Sequence, residues 1–67
     1  MEQAMEQQQN SVVDYAYPCM MAERALKDAH DSMLCRDYDA AIEQTLQALA
    51  DTRLMLQSIR HQKEVNQ

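Results

Sequence analysis

The chain has 67 residues and a net charge of −5, with 46% hydrophobic residues, no glycine, one proline and neither Trp nor Phe. The lack of glycine excludes glycine-rich phosphate loops and dinucleotide fingerprints, and it removes the usual turn residue of tight β-hairpins. Strong helix formers dominate, so the composition predicts an all-α protein with one small domain. At this size a lone core contributes only roughly 3–5 kcal/mol, so natural chains add disulfides, a metal or a partner subunit.

Charge is unevenly distributed along the chain. Residues 1–51 hold ten acids and three bases, whereas residues 52–67 hold Arg53, Arg60 and Lys63 against Glu64. The acidic balance repels nucleic acid phosphates, so direct nucleic acid binding is not expected as the main role. The basic residues are typical of cations at the C-terminal end of a helix, where its dipole favours them. The alternative is a basic patch used by a dimeric, nucleic-acid-associated regulator.

The cysteines and the N-terminus indicate a cytoplasmic protein. Cys19 and Cys35, if carried by one helix, lie about 24 Å apart and cannot form a disulfide within it. An isolated pair of this kind is typical of reduced, buried thiols in the cytosol. The N-terminus has neither a basic region nor an apolar run, so no signal peptide is expected, and no segment reaches the roughly 18 apolar residues that span a membrane.

The N-terminal residues divide into two segments. Residues 1–10 are polar and rich in Gln, which predicts a flexible tail, and residues 11–67 form a single helical domain. Residues 11–17 contain Val and Tyr side chains and precede Pro18, which disfavours helical geometry at Tyr17 and suits the first turn of a new helix. We therefore expect residues 11–17 to be either an extended arm or a short third helix that packs on the rest.

Two helices follow, over residues 18–36 and 38–63. In the first, apolar residues recur at spacings of three and four: Cys19, Ala22, Leu26, Ala29 and Met33. Asp37 is a suitable N-cap for the second helix, which leaves a very short connection and predicts an antiparallel hairpin. The second helix repeats in the same way, at Tyr38, Ile42, Thr45, Leu49, Thr52, Leu56 and Ile59. We expect the two stripes to face each other, with Leu26 and Leu49 buried.

Apolar positions are left over on the second helix. It is longer than the first, so Leu56 and Ile59 are expected to extend beyond the end of its partner. Leu46, Ala50 and Leu54 lie off the main stripe, toward another side of the helix. A two-helix hairpin cannot cover both sets, so these five residues are the candidate interface, and a homodimer is expected to complete the fold.

Residues 36–49 resemble the turn and second helix of a tetratricopeptide repeat. Tyr38, Ala41, Ala48 and Leu49 match that family, and Ala29 falls where its first helix carries a small residue. The sequence departs from the family at Arg36, which replaces the usual glycine, at Ala25, which replaces a bulky aromatic residue, and at Arg53, which replaces the closing proline. The resemblance covers about 30 residues of one unit, where arrays usually need about three. It implies a hairpin with repeat-like packing that presents a helical surface to other proteins.

The chain is also similar in general character to the small helical accessory proteins of lambdoid phages. That similarity rests on size and helical composition and has no diagnostic motif. It implies a protein that modulates host or phage development.

The sequence offers no catalytic constellation. Cys19, His30 and Cys35 lack the spacing of a metal site, and neither histidine is placed to activate a cysteine. No enzyme activity, metal or cofactor is expected. The sequence therefore predicts a non-enzymatic, regulatory interaction protein whose partners are a second copy of itself and an unidentified protein.

Overall fold

The computed structural model describes residues 14–66, so the predicted tail and residues 11–13 of the predicted arm lie outside the described residues. The described part consists of helix α1 (Ala16–Leu34) and helix α2 (Tyr38–Val65), with no strand. The helices pack against each other along their length as an antiparallel hairpin. The predicted all-α hairpin is confirmed. Neither helix in the described part has an apolar stretch that would let it cross a membrane.

Helix α1 begins two residues before the predicted start. The Asp14 carboxylate accepts a hydrogen bond from the Ala16 backbone N–H at 2.9 Å, which satisfies one of the free amides at the helix start. Pro18 then occupies the first turn, where its missing N–H has no partner to lose. The Cys19 N–H donates to the Tyr15 carbonyl at 3.0 Å and carries the helix past the proline. Tyr17, predicted to belong to the arm, is therefore part of α1.

The turn between the helices is a Schellman motif centred on Arg36. The Arg36 N–H donates to the Met33 carbonyl at 3.0 Å, and the Asp37 N–H donates to the Ser32 carbonyl at 2.8 Å. This geometry needs a left-handed residue, and Arg36 has a φ of 60°. Arg36 thus occupies a conformation that glycine adopts at lower cost. The Asp37 carboxylate accepts from the Ala40 N–H at 3.2 Å, which confirms Asp37 as the N-cap of α2.

The contact between the helices is a line of small side chains. Among residues 14–66, the buried hydrophobic residues are all alanines: Ala22, Ala25, Ala29, Ala41 and Ala48. We call this line the alanine seam. Methyl side chains allow helix axes to approach to the short end of the usual range of about 8–10 Å. The Ser32 hydroxyl donates to the Gln44 side-chain oxygen at 2.7 Å near the turn, and Asp51 and Ser58 are buried farther along α2.

The prediction that Leu26 and Leu49 are buried between the helices is wrong. Leu26 is 53% exposed and Leu49 is 61% exposed. Ala22 and Ala29 of the stripe predicted on α1 are buried, whereas the large side chains of both stripes are turned outward. The helices are rotated so that alanines meet, since a seam of small residues permits closer backbone packing than one of leucines. On α2 the seam runs along Ala41 and Ala48, each of which directly precedes a residue of the predicted stripe, Ile42 and Leu49.

Candidate interaction surface

One side of the hairpin is covered by large apolar side chains from both helices. Met33 of α1 and Tyr38, Ile42 and Thr45 of α2 line an open depression of about 380 Å³. Two turns back along α1 from Met33 lies Leu26, and α2 continues the surface at heptad spacing beyond Thr45. We call this surface the broad face. Its large side chains, all exposed, are Leu26, Met33, Tyr38, Ile42, Leu49, Leu56 and Ile59.

Few polar groups on the broad face lack a hydrogen-bond partner within their own helix. Two threonines interrupt the apolar stripe of α2, and both hydroxyls are used within the helix. The Thr45 hydroxyl donates to the Ala41 carbonyl at 2.8 Å, and the Thr52 hydroxyl donates to the Ala48 carbonyl at 2.6 Å. Between Tyr38 and Ile59 the stripe of α2 carries no charge, and the charged Lys63 follows seven residues after Leu56. Covering the face therefore leaves chiefly the Tyr38 hydroxyl to be satisfied by water or by the occupant.

Helix α2 presents two seams that point in different directions. Ala48 lies on the alanine seam and the next residue, Leu49, lies on the broad face, so the two directions differ by about 100°. Both lines repeat at spacings of three and four over most of the helix. In a four-helix bundle each helix has two neighbours in roughly perpendicular directions. The first direction of α2 is occupied by α1, and the second points out of the plane of the hairpin.

The opposite face has mixed chemistry. Tyr17 and Pro18 of α1 and Leu54 and His61 of α2 line an open depression of about 450 Å³. Asp51 also lines it, and its carboxylate accepts a hydrogen bond from the Gln47 side-chain amide at 3.2 Å. This side of the hairpin thus mixes apolar, charged and hydroxyl groups, and it lacks the continuous stripe of the broad face.

The five residues of the predicted interface do not form one surface. Leu56 and Ile59 lie on the broad face, and Leu46 lies at its edge and lines the same depression as Ile42. Ala50 is exposed and Leu54 belongs to the opposite face.

Helix α1 also reaches farther along α2 than the sequence predicted. Ser58 and His61 share a depression with Tyr17 and Pro18. The first turn of α1 is therefore level with the region of Leu56 and Ile59. These two residues are exposed because they point out of the hairpin plane, and not because α1 ends before them.

The sequence did not predict that five residues of the broad face lie on the surface: Leu26, Met33, Tyr38, Ile42 and Leu49. The signal for their shared side was present in the heptad spacing of both helices. The spacing alone does not say which of two adjacent seams meets α1. The positions of the alanines indicate which of the two seams packs against α1.

Two of the three predicted basic residues form an outer row on α2. Arg53 and Arg60 are exposed and seven residues apart, so they share one edge of the helix. Lys63 is exposed in the last turn, where the helix dipole favours a cation. The same heptad position is occupied by Asp39 and Leu46 nearer the turn, so the edge changes from acidic to basic along its length.

The described residues contain no group of three or more His, Cys, Asp or Glu side chains that could hold a metal ion. Cys19 is half-buried and Cys35 is exposed at the end of α1, and both are free thiols. The expectation that both thiols are buried is therefore wrong for Cys35, because the chain leaves the helix there and turns outward.

No protein-family model, curated protein or solved structure matches this chain. Of the residues that carry the resemblance to a tetratricopeptide repeat, Ala29, Ala41 and Ala48 are buried in the alanine seam, whereas Tyr38 and Leu49 are exposed. That family relationship stays a prediction. The geometry and chemistry of the broad face provide the argument about function.

Proposed function

We propose that this chain is a protein-interaction module of regulatory type, which acts by binding helices of another protein chain through its broad face. The observation that carries the proposal is the contrast between the two seams of the hairpin. The side chains between α1 and α2 are mostly alanines, whereas the seven large apolar side chains of the broad face are exposed.

Energetics supports an occupant for this face. Full burial of a Leu or Ile side chain contributes about 1.5–3 kcal/mol, whereas an alanine contributes only a methyl group. In residues 14–66, no large side chain is fully buried. The described part of the chain contains two helices side by side, which form a single layer. Stable domains bury their apolar surface between two packed layers, and the broad face is where a second layer fits.

The chemistry of the face restricts its partner. Its stripe repeats every seven residues, which suits side chains of another helix packed nearly parallel or antiparallel to α2. Since the stripe of α2 between Tyr38 and Ile59 carries no charge, a highly charged partner such as a nucleic acid backbone gains nothing there. The expected partner surface is a pair of helices with an apolar stripe of similar length.

Photo-crosslinking tests the proposal directly. Leu49 is replaced by p-benzoylphenylalanine, a photoreactive residue, and the matched control carries the same residue at Leu54 on the opposite face. The two leucines are similarly exposed, at 61% and 53%. Irradiation in cells, followed by mass spectrometry, identifies every protein chain joined to each position.

We expect the yield of adducts to a protein chain at position 49 to be several times the yield at position 54. Circular dichroism of both purified variants checks that they remain helical. Equal yields from both positions, or none from position 49, would show that the broad face is not an interaction surface.

A further inference from the structure

We infer that the occupant of the broad face is a second copy of this chain, with α2 packed antiparallel on the partner's α2 about a twofold axis near Leu49. This inference rests on the proposed function and names the partner. The product is a four-helix bundle in which each hairpin supplies one layer.

The order of side chains along α2 reads nearly the same in both directions. Leu49 is at the centre, and outward from it come a threonine and then large apolar residues on each side. The pairs equidistant from the centre, within one residue, are Thr45 with Thr52, Ile42 with Leu56, and Tyr38 with Ile59. An antiparallel copy therefore brings threonine opposite threonine and large side chains opposite large side chains. Such self-complementarity is what a twofold interface requires.

Helix α1 has its own centre at the same height. Leu26 is seven residues from both Cys19 and Met33 on the broad-face side. The hydrogen bond between Ser32 and Gln44 fixes the register of the two helices. Six residues back from Ser32 is Leu26, and five residues forward from Gln44 is Leu49, so their levels agree within about one residue rise of 1.5 Å. One twofold axis that runs across both helices, perpendicular to their long axes and parallel to the hairpin plane, can therefore pass near both centres.

Charges on the outer edge of α2 are complementary in this arrangement. Asp39, Leu46, Arg53 and Arg60 occupy one heptad position beside the stripe. In an antiparallel pair this edge lies against the same edge of the copy. Asp39 then lies opposite the partner's Arg60, and Leu46 lies opposite the partner's Arg53, whose aliphatic stem can cover it. A parallel copy would instead place Arg60 level with the partner's Arg60.

The size of the face matches what a stable dimer needs. Its stripe on α2, from Tyr38 to Ile59, is about 32 Å long, and two adjacent helices are about 20 Å wide. The footprint is therefore about 640 Å² per copy, or about 1,300 Å² in total, within the standard range of about 1,200–2,000 Å².

Residues 1–13 are a poorer match for this surface. They join the described chain at Asp14, which lines the depression on the opposite face. Their large apolar side chains are Met1, Met5, Val12 and Val13, against seven on the broad face. A second copy provides an equal number of large side chains at matching spacing.

Disulfide trapping tests both the copy and its direction. The two native thiols are removed by Cys19→Ala and Cys35→Ser, and single cysteines are introduced on α2. A disulfide forms only where Cα atoms come within about 7 Å. Under mild oxidation, Leu49→Cys should give a disulfide-linked dimer at several times the yield of Leu54→Cys. Tyr38→Cys alone should give little dimer, whereas Tyr38→Cys mixed with Ile59→Cys should form the mixed dimer.

Sedimentation equilibrium of the unmodified chain provides the independent measurement. The expected mass at micromolar concentration is twice the 7.8 kDa of one chain. Self-linking at both Tyr38→Cys and Leu49→Cys would indicate a parallel copy and overturn the antiparallel arrangement. A folded monomer whose position 49 photo-crosslinks to a different protein would overturn the dimer and leave the proposed function standing. A folded monomer with no crosslinks from position 49 would overturn both.

Discussion

Replacing Leu49 by Ala measures how much of the protein's stability depends on the broad face. The matched substitution is Leu54→Ala, because both leucines lie on α2 and are similarly exposed, at 61% and 53%. In an isolated hairpin the two substitutions remove side chains that are mostly in water. They should then cost similar and small amounts of free energy.

In the dimer the two substitutions differ. The exposed 61% of Leu49 becomes buried on association. Taking that fraction of the transfer free energy of a leucine gives about 0.9–1.8 kcal/mol per chain, or about 2–4 kcal/mol per dimer. Leu54 lies on the opposite face, so its exposed fraction does not change on association. Leu49→Ala should therefore destabilise the dimer by about 2–4 kcal/mol more than Leu54→Ala does.

Urea denaturation followed by circular dichroism, at several protein concentrations, provides the measurement. The unfolding midpoint of the unmodified chain should rise with protein concentration, because association is linked to folding. Leu49→Ala should lower the midpoint at every concentration, and Leu54→Ala should lower it little. Equal losses for the two variants, with midpoints independent of concentration, would refute the reasoning that the broad face is covered.

Three further substitutions probe other features of the hairpin. Arg36→Gly should raise the free energy of unfolding by about 0.5–1 kcal/mol in urea titrations, because glycine adopts the left-handed φ at lower cost; an unchanged midpoint would contradict this. Ala48→Leu should cost about 1–3 kcal/mol by overpacking the seam, while exposed Ala50→Leu should not; equal effects would show that the seam is misplaced. Arg60→Asp should weaken the dimer in sedimentation and Asp39→Arg in the same chain should restore it; failure to restore would refute the antiparallel charge pairing.

The elements of this fold can be predicted from the sequence because their signals are local. The apolar spacing of each helix needs no knowledge of its neighbour, and Asp37 caps α2 through an amide only three residues away. The short connection then forces the helices to run antiparallel. The early start of α1 was missed because the Asp14 hydrogen bond outweighed the preference of Tyr17 for extended geometry before proline.

The rotation of the helices could not be predicted in the same way. Helix α2 has two apolar lines about 100° apart, and both have heptad spacing. The prediction took the line with the larger side chains as the contact with α1, because large apolar side chains are usually buried. That relation between size and burial would hold in the proposed dimer, and it fails for the hairpin itself, whose buried hydrophobic residues among those described are alanines. The small residues at Ala41 and Ala48 were the better guide to the first contact.

The distribution of polar groups points to which surface is the true interior of this protein. In the hairpin the buried line of α2 contains Asp51 and Ser58, whereas the outward stripe contains Leu49, Leu56 and Ile59. A lone hairpin would thus bury a carboxylate and expose leucines, the reverse of the arrangement that favours folding. With a second hairpin on the broad face, the large side chains would become the core, while Asp51 and Ser58 would stay in the seam beside the opposite face. Association and folding are then one event, and the concentration of the chain controls how much of it is folded.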